Sequence, residues 1–315
     1  MGLKRIKLSS YVSVLALIIL VLVFWFINNN FLRVENIHNI LTDLSPLLIM
    51  SSGVTFILLL GSTDLSVGAT CSLAAVIFAK YADVLGIAIY PAVILFGAFS
   101  GLLVGLLYVK LKVPSFIASL GIMSVWQSIA LIVSDYGPVQ LKPAQWGLVA
   151  WTEINFEFIP SVFIIGLIIV ALFYFLERQT SLGRYIYAIG ANERSARFAG
   201  VPCVRTKMVS FIMGGMCYAF AAIIFTAKLT SGSPNLGDDF TLLAIASVVL
   251  GGTALSGGKG SIKGTVLGVA MVTIIKNGMT VANIDAFWQR IIFGAIVIIA
   301  AYMTADRSDK ELVIK

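Results

Sequence analysis

The residues with the greatest potential for chemistry in this sequence lie in LGSTDLSVG, at positions 60–68. The carboxylate of Asp64 stands between the hydroxyl residues Thr63 and Ser66, and Gly61 and Gly68 flank the group. Such side chains accept hydrogen bonds from unpaired backbone N–H groups at a helix start, or they line a polar path through an apolar protein. The stretch therefore predicts a break between two helices. Asp64 then has two alternative roles, a purely structural cap or a part of a translocation path.

A second stretch, LGGTALSGG at positions 250–258, repeats Leu, Gly, Thr, Leu, Ser and Gly at six of the nine positions. Its candidate residues form a glycine-rich turn and are Gly251, Gly252, Ser256, Gly257 and Gly258. Ala254 stands where the first stretch has its acid. The repeat therefore favours one structural turn that is used twice, with the acid as an addition in the first copy.

No residue pattern in the sequence supports catalysis or cofactor binding. The segment TALSGGKG approaches the phosphate-binding loop GxxxxGK[ST], but it begins with Thr253 and has Gly260 where the magnesium-binding Ser or Thr belongs. The one histidine, His38, and three scattered cysteines without a CxxC spacing offer no metal or redox site. We therefore expect a protein that is not an enzyme and carries no cofactor.

The composition indicates what surrounds these stretches. Hydrophobic residues make up 59% of the 315 residues and charged residues 12%, whereas soluble domains have about 45–50% and about 25%. Backbone groups in hydrocarbon must bond within their own segment, so the apolar runs are helices. We predict an all-α polytopic membrane protein of about ten transmembrane helices, of which the second and third look short. The predicted spans are 11–27, 44–60, 65–79, 91–109, 114–134, 159–176, 208–227, 241–255, 264–282 and 287–304.

Basic residues set the predicted orientation. With an internal N-terminus, most of the 22 Lys and Arg residues fall on the cytoplasmic side, including Arg307, Lys310 and Lys315 near the C-terminus. This is the positive-inside pattern, and it places both termini in the cytoplasm. Contact with anionic membrane lipid accounts for the net charge of +7 without any nucleic acid. We expect the segment 135–158 to be an external loop, with two tryptophans (Trp146 and Trp151) at the membrane interface.

The longest predicted cytoplasmic loop, about 177–207, contains helix signals of its own. Asn192 can cap a helix, Glu193 complements the helix dipole in the first turn, and Gly200 can stop it. These signals predict a short helix of about eight residues. A capped helix between two membrane spans is either an amphipathic connector on the lipid headgroups or a docking helix for a cytoplasmic partner.

Several motifs together resemble a known family. GSTDLSVG (61–68) resembles the GGxDLSVG signature of permease subunits from ribose/simple-sugar importers of the ATP-binding-cassette (ABC) class, within the branched-chain amino acid/ribose permease superfamily. AIGANERSARFAGVPCVRTK (188–207) resembles the cytoplasmic coupling loop of that class. Further similar stretches, in the family's order, are VPSFIASLG (113–121), GGTALSGGKGSIKGTVLG (251–268) and NIDAFWQRIIFGAIVIIA (283–300). Departures are Ser62-Thr63 before the acid, where a Gly-Ile-type pair is usual, and Ala118-Ser119, where Ala-Thr is common.

The resemblance implies a single transmembrane permease domain over 1–315, in a bacterial cytoplasmic (inner) membrane. It implies an ABC ATPase subunit that hydrolyses ATP, an extracytoplasmic solute-binding protein, and a second permease copy or sister permease. The transported solute would be a simple sugar or a sugar-like compound. ATPase coupling would then fall on the loop residues that match the family pattern, which are Asn192, Glu193, Arg194, Ala196, Arg197 and Gly200.

Two other classes of protein fit part of the sequence. An ion-coupled secondary transporter that acts without an ATPase also has broken helices with glycine-rich turns. Such a transporter would need several acidic residues within the membrane as ion-binding sites, yet Asp64 is the only strong candidate in the first six predicted spans. It also leaves the capped cytoplasmic helix unexplained. A membrane scaffold protein explains neither feature.

Overall fold

The computed structural model of the chain describes residues 2–304 and shows an almost entirely helical protein. Its helices are α1 (Gly2–Ile27), α2 (Val34–Leu59), α3 (Val67–Leu85), α4 (Ile89–Val109), α5 (Ser115–Val133), α6 (Trp146–Val149), α7 (Ser161–Gln179), α8 (Ser181–Ala191), α9 (Glu193–Phe198), α10 (Cys203–Leu229), α11 (Asp238–Leu250), α12 (Ile262–Val281) and α13 (Ala286–Thr304). Its two-residue strands are β1 (Val139–Gln140), β2 (Asn155–Phe156), β3 (Ile159–Pro160) and β4 (Ser231–Gly232). The predicted helical class is confirmed for these residues, and Arg307, Lys310 and Lys315 lie outside them.

Six helical segments within residues 2–304 are long and apolar enough to cross a membrane, namely Val34–Leu59, Val67–Val109, Ser115–Val133, Ser161–Gln179, Cys203–Leu229 and Ile262–Val281. The second of these, 43 residues long, contains both α3 and α4. Two shorter apolar helices, Val14–Ile27 and Ala286–Ile296, accompany them. The chain is therefore a polytopic membrane protein. The total of about ten spans, with both termini in the cytoplasm, stays a prediction.

The helices on either side of the first glycine-rich stretch are longer than the sequence suggested. α2 has 26 residues and begins at Val34, so the polar residues before its apolar run belong to a helix and not to a loop. Glu35 in its first turn complements the helix dipole. α3 has 19 residues and continues to Leu85. The expectation of two short spans is wrong, because cutting apolar runs at polar residues misses those that a helix accommodates.

α10 lies at the centre of the bundle and packs against α2, α3 and α4. It approaches α4 most closely where glycines meet: a Cβ added at Gly101 would lie 2.0 Å from the Phe211 carbonyl oxygen. A Cβ added at Gly215 would likewise lie 2.0 Å from the Gly97 carbonyl oxygen. Only residues without a side chain permit such contacts between helix backbones. α4 and α10 are thereby held together as one packed unit.

The strands lie in the two connections on the predicted external side. β1 pairs antiparallel with β4, with Val139 opposite Gly232, and β2 pairs antiparallel with β3. The Trp151 indole N–H donates to the Tyr90 hydroxyl at 2.8 Å, which attaches the loop before α7 to α4. Trp146 is exposed, whereas Trp151 is half-buried. This loop is therefore folded against the helices rather than extended from them.

Candidate functional site

The first glycine-rich stretch ends α2 in a Schellman turn. The Gly61 N–H donates to the Leu58 carbonyl oxygen at 2.9 Å, and the Ser62 N–H donates to the Ile57 carbonyl oxygen at 3.2 Å. Gly61 has φ +72°, a left-handed conformation that favours glycine. α3 then begins only at Val67. The predicted break between two helices is therefore present.

The second glycine-rich stretch ends α11 with the same motif. The Gly252 N–H donates to the Val249 carbonyl oxygen at 2.8 Å, and the Thr253 N–H donates to the Val248 carbonyl oxygen at 3.2 Å. Gly252 has φ +88°. In the sequence repeat, however, Gly61 aligns with Gly251, so α11 ends one residue later than α2. A second glycine in the copy allows this shift, because either position can take the left-handed conformation.

The two turns pack directly on one another. The Gly258 N–H donates to the Leu59 carbonyl oxygen at 2.8 Å. A Cβ added at Gly257 would lie 2.5 Å from the Gly61 backbone nitrogen, and one added at Gly61 would lie 2.9 Å from the Ser256 carbonyl oxygen. These distances leave no room for side chains between the turns. The end of α2 and residues 256–258, in the connection after α11, therefore form one backbone-to-backbone junction.

The outer glycines of both stretches also mark close approaches. A Cβ added at Gly68 would lie 2.2 Å from the Gly237 carbonyl oxygen, so the start of α3 packs on the start of α11. A Cβ added at Gly251 would lie 2.4 Å from the Gly264 carbonyl oxygen, in the first turn of α12. Four helices thus converge around the two turns.

Asp64 is buried in the first stretch, with 2% of its surface exposed. Its Oδ1 accepts hydrogen bonds from the Ser66 backbone nitrogen at 2.9 Å and the Ser66 hydroxyl at 2.6 Å. Ser66 precedes α3 and makes no side-chain capping bond, while its hydroxyl donates to Asp64. The Thr63 N–H donates to the Ser115 hydroxyl at 3.1 Å. Ser66, the N-cap residue of α3, therefore makes no side-chain cap, but Asp64 does accept the backbone N–H of Ser66 as expected, in a local Asx turn just before the helix.

The other carboxylate oxygen of Asp64 is unsatisfied. Oδ2 is buried and has no hydrogen-bond partner among residues 2–304, and the same holds for the hydroxyl of Tyr218 on α10. The two side chains lie beside one another in the bundle interior. Buried polar atoms without partners are costly and rare. Asp64 and Tyr218 are therefore a buried acceptor and a buried donor close enough to interact with one another, without a hydrogen bond of good geometry.

The loop predicted to couple with a partner folds as two helices. α8 has 11 residues and was missed by sequence reasoning, whereas α9 has six residues where about eight were expected. The Asn192 side chain accepts from the Ser195 backbone nitrogen at 2.9 Å, which is the expected cap. Gly200 has φ +80° and closes the C-terminal turn. No atom lies close enough to exclude a side chain at this position, so glycine is favoured here only by the backbone conformation.

The outward face of α9 combines charge with one large apolar side chain. Arg194 and Arg197 are exposed, Ala196 is buried, and Phe198 is 82% exposed. Sequence reasoning did not single out Phe198. An exposed aromatic residue beside arginines is typical of the anchor of a protein–protein interface. α9 thus exposes two arginines and one aromatic side chain on the side of the bundle predicted to be cytoplasmic.

A chain of hydrogen bonds runs from α9 to the helix break. The Lys207 amine on α10 donates to Glu193 Oε2 at 2.7 Å and to the Tyr108 hydroxyl at 2.9 Å. The Ser62 hydroxyl, in the first glycine-rich stretch, donates to the same Tyr108 oxygen at 3.1 Å. Lys207 is 6% exposed, so its charge is held almost entirely by these partners. These hydrogen bonds thus connect α9 to the break through α10 and α4.

The electrostatics of Glu193 fit this arrangement. Burial would raise the pKa of Glu193, but the Lys207 hydrogen bond and charge, with a smaller effect of Arg197, outweigh it and lower the pKa. Arg197 lies 3.2 Å from Glu193 Oε1 at the exposed edge of the same helix. Glu193 is therefore a carboxylate at neutral pH and holds both cations.

A second connection joins the loop to the other glycine-rich turn. Glu177, at the end of α7, is 3% exposed and accepts from the Tyr187 hydroxyl and from the Ile262 backbone nitrogen at 3.2 Å. Burial and the adjacent Glu177 carboxylate raise the pKa of Tyr187, so its hydroxyl stays protonated. A Cβ added at Gly190, near the end of α8, would lie 1.9 Å from the Leu59 carbonyl oxygen. α8 therefore rests directly on the junction of the two turns.

The residues that sequence reasoning missed are those that make these connections: Tyr108, Glu177, Tyr187, Phe198 and Lys207. Glu177 and Lys207 mark the two ends of the predicted loop, and sequence reasoning assigned neither of them a partner. No sequence signal places Tyr108 beside either of them, because it lies in another helix. Within residues 2–304, no cluster of three or more His, Cys, Asp or Glu side chains could hold a metal ion.

Breaks between buried helices within a polytopic membrane protein are typical of transport proteins. The family described as "Branched-chain amino acid transport system / permease component" matches residues 36–301. The chain belongs to this family of permease components, and the resemblance noted in its motifs is confirmed.

Curated relatives that match include ribose import permeases and the permease of a D-allose transport system. Ribose import permease protein RbsC of Bacillus subtilis (strain 168) is 35% identical over 297 residues, covering 93% of this chain and 92% of its own. Ribose import permease protein RbsC of Escherichia coli (strain K12) is 33% identical over 296 residues, covering 91% of each chain. D-allose transport system permease protein AlsC of the same strain is 32% identical, covering 86% of this chain and 83% of its own. No solved structure matches significantly.

Proposed function

We propose that this chain is the transmembrane permease subunit of an ABC importer that moves a simple sugar or sugar-like solute across a bacterial cytoplasmic membrane. ATP is hydrolysed by a separate ATPase subunit. The family and the ribose and allose permeases among its relatives support this class. The observation that carries the mechanism is the hydrogen-bonded chain from α9 to the helix break.

In this proposal the whole chain acts as one permease domain and dimerises with a second copy or a sister permease. An extracytoplasmic solute-binding protein delivers the solute from outside. α9 lodges in a groove of the ATPase, with Phe198 as the apolar anchor and Arg194 and Arg197 as the charged rim, which sets register and partner choice. Asn192 and Gly200 fix the two ends of the helix, and Ala196 packs it against the membrane domain.

Movement of α9 then reaches the membrane interior by two routes. The Glu193–Lys207 ion pair transmits it to α10, and Tyr108 passes it to α4 and to Ser62 at the break. Glu177 and α8 transmit it to the turn before α12. Because the two glycine-rich turns are in backbone contact, both routes converge on one junction. Asp64, whose Oδ2 is unsatisfied, lies at this junction on the proposed translocation path.

The test is sugar uptake that depends on a functional ATPase. The chain is reconstituted in vesicles with its ATPase and binding protein, and uptake of radiolabelled D-ribose, D-allose and D-xylose is measured. An ATPase variant that binds but does not hydrolyse ATP is the control. Uptake of at least one sugar should require hydrolysis. Equal uptake with both ATPases would contradict the importer.

An ion-coupled secondary transporter is the second candidate, and the unsatisfied Asp64 Oδ2 beside Tyr218 is the observation that favours it. Asp64 and Glu177 are the fully buried acids among residues 2–304, and Glu177 already bonds a helix start and a tyrosine. A carrier of this kind would accumulate solute from an imposed proton or sodium gradient in vesicles without any ATPase. Gradient-driven uptake by the chain alone would replace the importer by this candidate.

A further inference from the structure

A pocket of about 90 Å³ lies between α2, α10, α11 and α12, on the half of the bundle predicted to face the exterior. On the same measure a single water needs only about 10–15 Å³, so the pocket has room for a small solute. Its lining combines apolar residues with the polar groups of Asp43, Thr273, Lys276 and Asn277, beside the ring of Phe240. It is separate from the glycine-rich turns described above.

The hydroxyl of Thr273 is the first sign that the pocket takes a ligand. Thr273 is 3% exposed, and its Oγ1 has no hydrogen-bond partner among residues 2–304. Hydroxyls within helices commonly donate to the carbonyl oxygen four residues earlier, as Thr280 does to Lys276 at 3.0 Å. Thr273 lacks this bond, so a buried donor and acceptor is unused in the pocket wall.

The amine of Lys276 is the second sign. Its Nζ lies 4.8 Å from the centroid of the Phe240 ring, and within the described residues no carboxylate forms an ion pair with it. The acid on the same pocket wall, Asp43, is paired with Lys228 instead. The carboxylates of Asp43 and Asp239 act on Lys276 through their charge but form no ion pair with it within the described residues, so its N–H donors are free for a polar ligand.

The mixture of groups indicates the class of ligand. The side-chain amides of Asn277 and Asn36 form two hydrogen bonds with each other, of 2.9 and 3.0 Å, which fix the orientation of Asn277. This amide lies in the pocket wall together with the Thr273 hydroxyl and the Lys276 amine. Sugar hydroxyls donate and accept equally well, and their C–H faces pack on apolar surfaces such as the Phe240 ring. The carboxylate of Asp43 in the same wall opposes an anion.

We propose that this pocket binds a neutral polyhydroxylated solute, a monosaccharide in size and chemistry, within the permease itself. The inference rests on the proposed function and deepens it by placing a solute site on the external side of the helix break. Thr273 and Lys276 are the residues that hold the solute through its hydroxyl oxygens. The solute-binding protein would then hand its cargo to a defined site.

Protection from chemical labelling tests the site without any ATPase. Thr280 is exposed at the rim of the pocket, and the native cysteines are buried. The full chain carrying Thr280→Cys, in lipid vesicles, is labelled with a membrane-impermeant thiosulfonate in the presence of D-ribose, D-allose, D-xylose or D-ribose 5-phosphate. At least one neutral sugar should slow the labelling. The matched control is Asn155→Cys, an exposed residue of the predicted external loop, whose labelling should be unaffected.

Substitutions in the pocket give the second measurement, in the Thr280→Cys chain. Thr273→Val and Lys276→Met should each raise the protecting sugar concentration about threefold to tenfold, the effect of one lost hydrogen bond. Thr226→Val is the control for a buried threonine with an unpaired hydroxyl outside the pocket. Lys263→Met is the control for a lysine on the same helix over an aromatic ring. Both controls should leave protection unchanged, and if one pocket variant does not fold, the other carries the test.

Several results would overturn the site: no labelling of Thr280→Cys, no protection by a neutral sugar, protection by the phosphate ester alone, or equal effects of pocket and control variants. None of these results would affect ATPase binding at α9, which does not involve the pocket. Conversely, loss of ATP-dependent uptake with intact sugar protection would overturn the importer and leave the site standing. The two failures are therefore distinguishable.

Discussion

Replacing Lys207 by methionine should disconnect α9 from the helix break while the bundle stays folded. The change keeps most of the side-chain length but removes the amine that bonds Glu193 at 2.7 Å and Tyr108 at 2.9 Å. The Lys207 side chain is 8% exposed and that of Glu193 is 31% exposed. A hydrogen bond to a charged group contributes about 1.5–3 kcal/mol. We expect Lys207→Met to lower the free energy of unfolding by an amount in that range.

A double-mutant cycle isolates the ion pair from the other effects of the substitution. Glu193→Gln, Lys207→Met and the double variant are unfolded in micelles by titration with a denaturing detergent. Residues in direct contact show interaction energies of about 0.5–3 kcal/mol. The matched control is the cycle of Glu193→Gln with Arg197→Met, because that pair is exposed and of the i,i+4 type, worth about 0.3–0.5 kcal/mol. The Lys207 cycle should give clearly the larger interaction energy.

The functional readout of the same variants is the amount of sugar taken up per ATP hydrolysed. Lys207→Met should keep the ATPase bound, since α9 and Phe198 are intact, yet it should lower uptake for each ATP consumed. Arg197→Met should weaken ATPase retention instead, because Arg197 lies on the exposed rim. An interaction energy no larger than in the control cycle, together with unchanged uptake per ATP, would refute the connection.

Three further predictions concern residues of the same site. Burial raises the pKa of Glu193, but Lys207 and Arg197 lower it below the usual 4.5. The contribution of the Glu193 carboxylate to stability should therefore be complete above pH 4.5 and be lost as the pH falls through the lower folded-state pKa. In thermal melts at different pH, Glu193→Gln should abolish this pH dependence. Gly200→Val should cost about 1–2 kcal/mol at its positive φ and reduce ATPase co-purification, whereas Gly200→Asn should be milder. Asp64→Ala should lower the free energy of unfolding by about 1–3 kcal/mol, because the backbone N–H and hydroxyl of Ser66 lose their acceptor. Asp64→Asn keeps an acceptor oxygen and should lose much less stability. If both variants melt and transport like the wild type, Asp64 has no structural or transport role.

Much of the architecture was predictable because it depends on local signals. The helix break at Gly61 and the cap at Asn192 follow from residue types with strong backbone preferences. The sequence repeat correctly indicated one turn used twice, but not that the two copies contact each other. Helix bounds were less accurate, because Thr42 and similar polar residues fit within helices by bonding their own backbone, as Thr42 does to His38.

The connections between elements could not be predicted from single-sequence patterns. Tyr108 and Lys207 are 99 positions apart, and nothing in either neighbourhood indicates that they meet. Asp64 accepts the backbone N–H of Ser66 as expected, but α3 begins only at Val67, so this bond closes a turn before the helix. Phe198 was overlooked because an apolar residue in a short loop helix gives no sign, in sequence alone, of facing outward.

The proposed docking of α9 into a separate ATPase can be measured by a photo-crosslink from position 198. A benzophenone amino acid replaces Phe198, which is 82% exposed, in the chain co-expressed with its ATPase and binding protein. The control position is Phe156, also exposed, in the loop predicted to lie outside. The account predicts a crosslink to the ATPase from position 198 and none from position 156. A crosslink to the ATPase from position 156, or none from position 198 in a complex active in uptake, would contradict it.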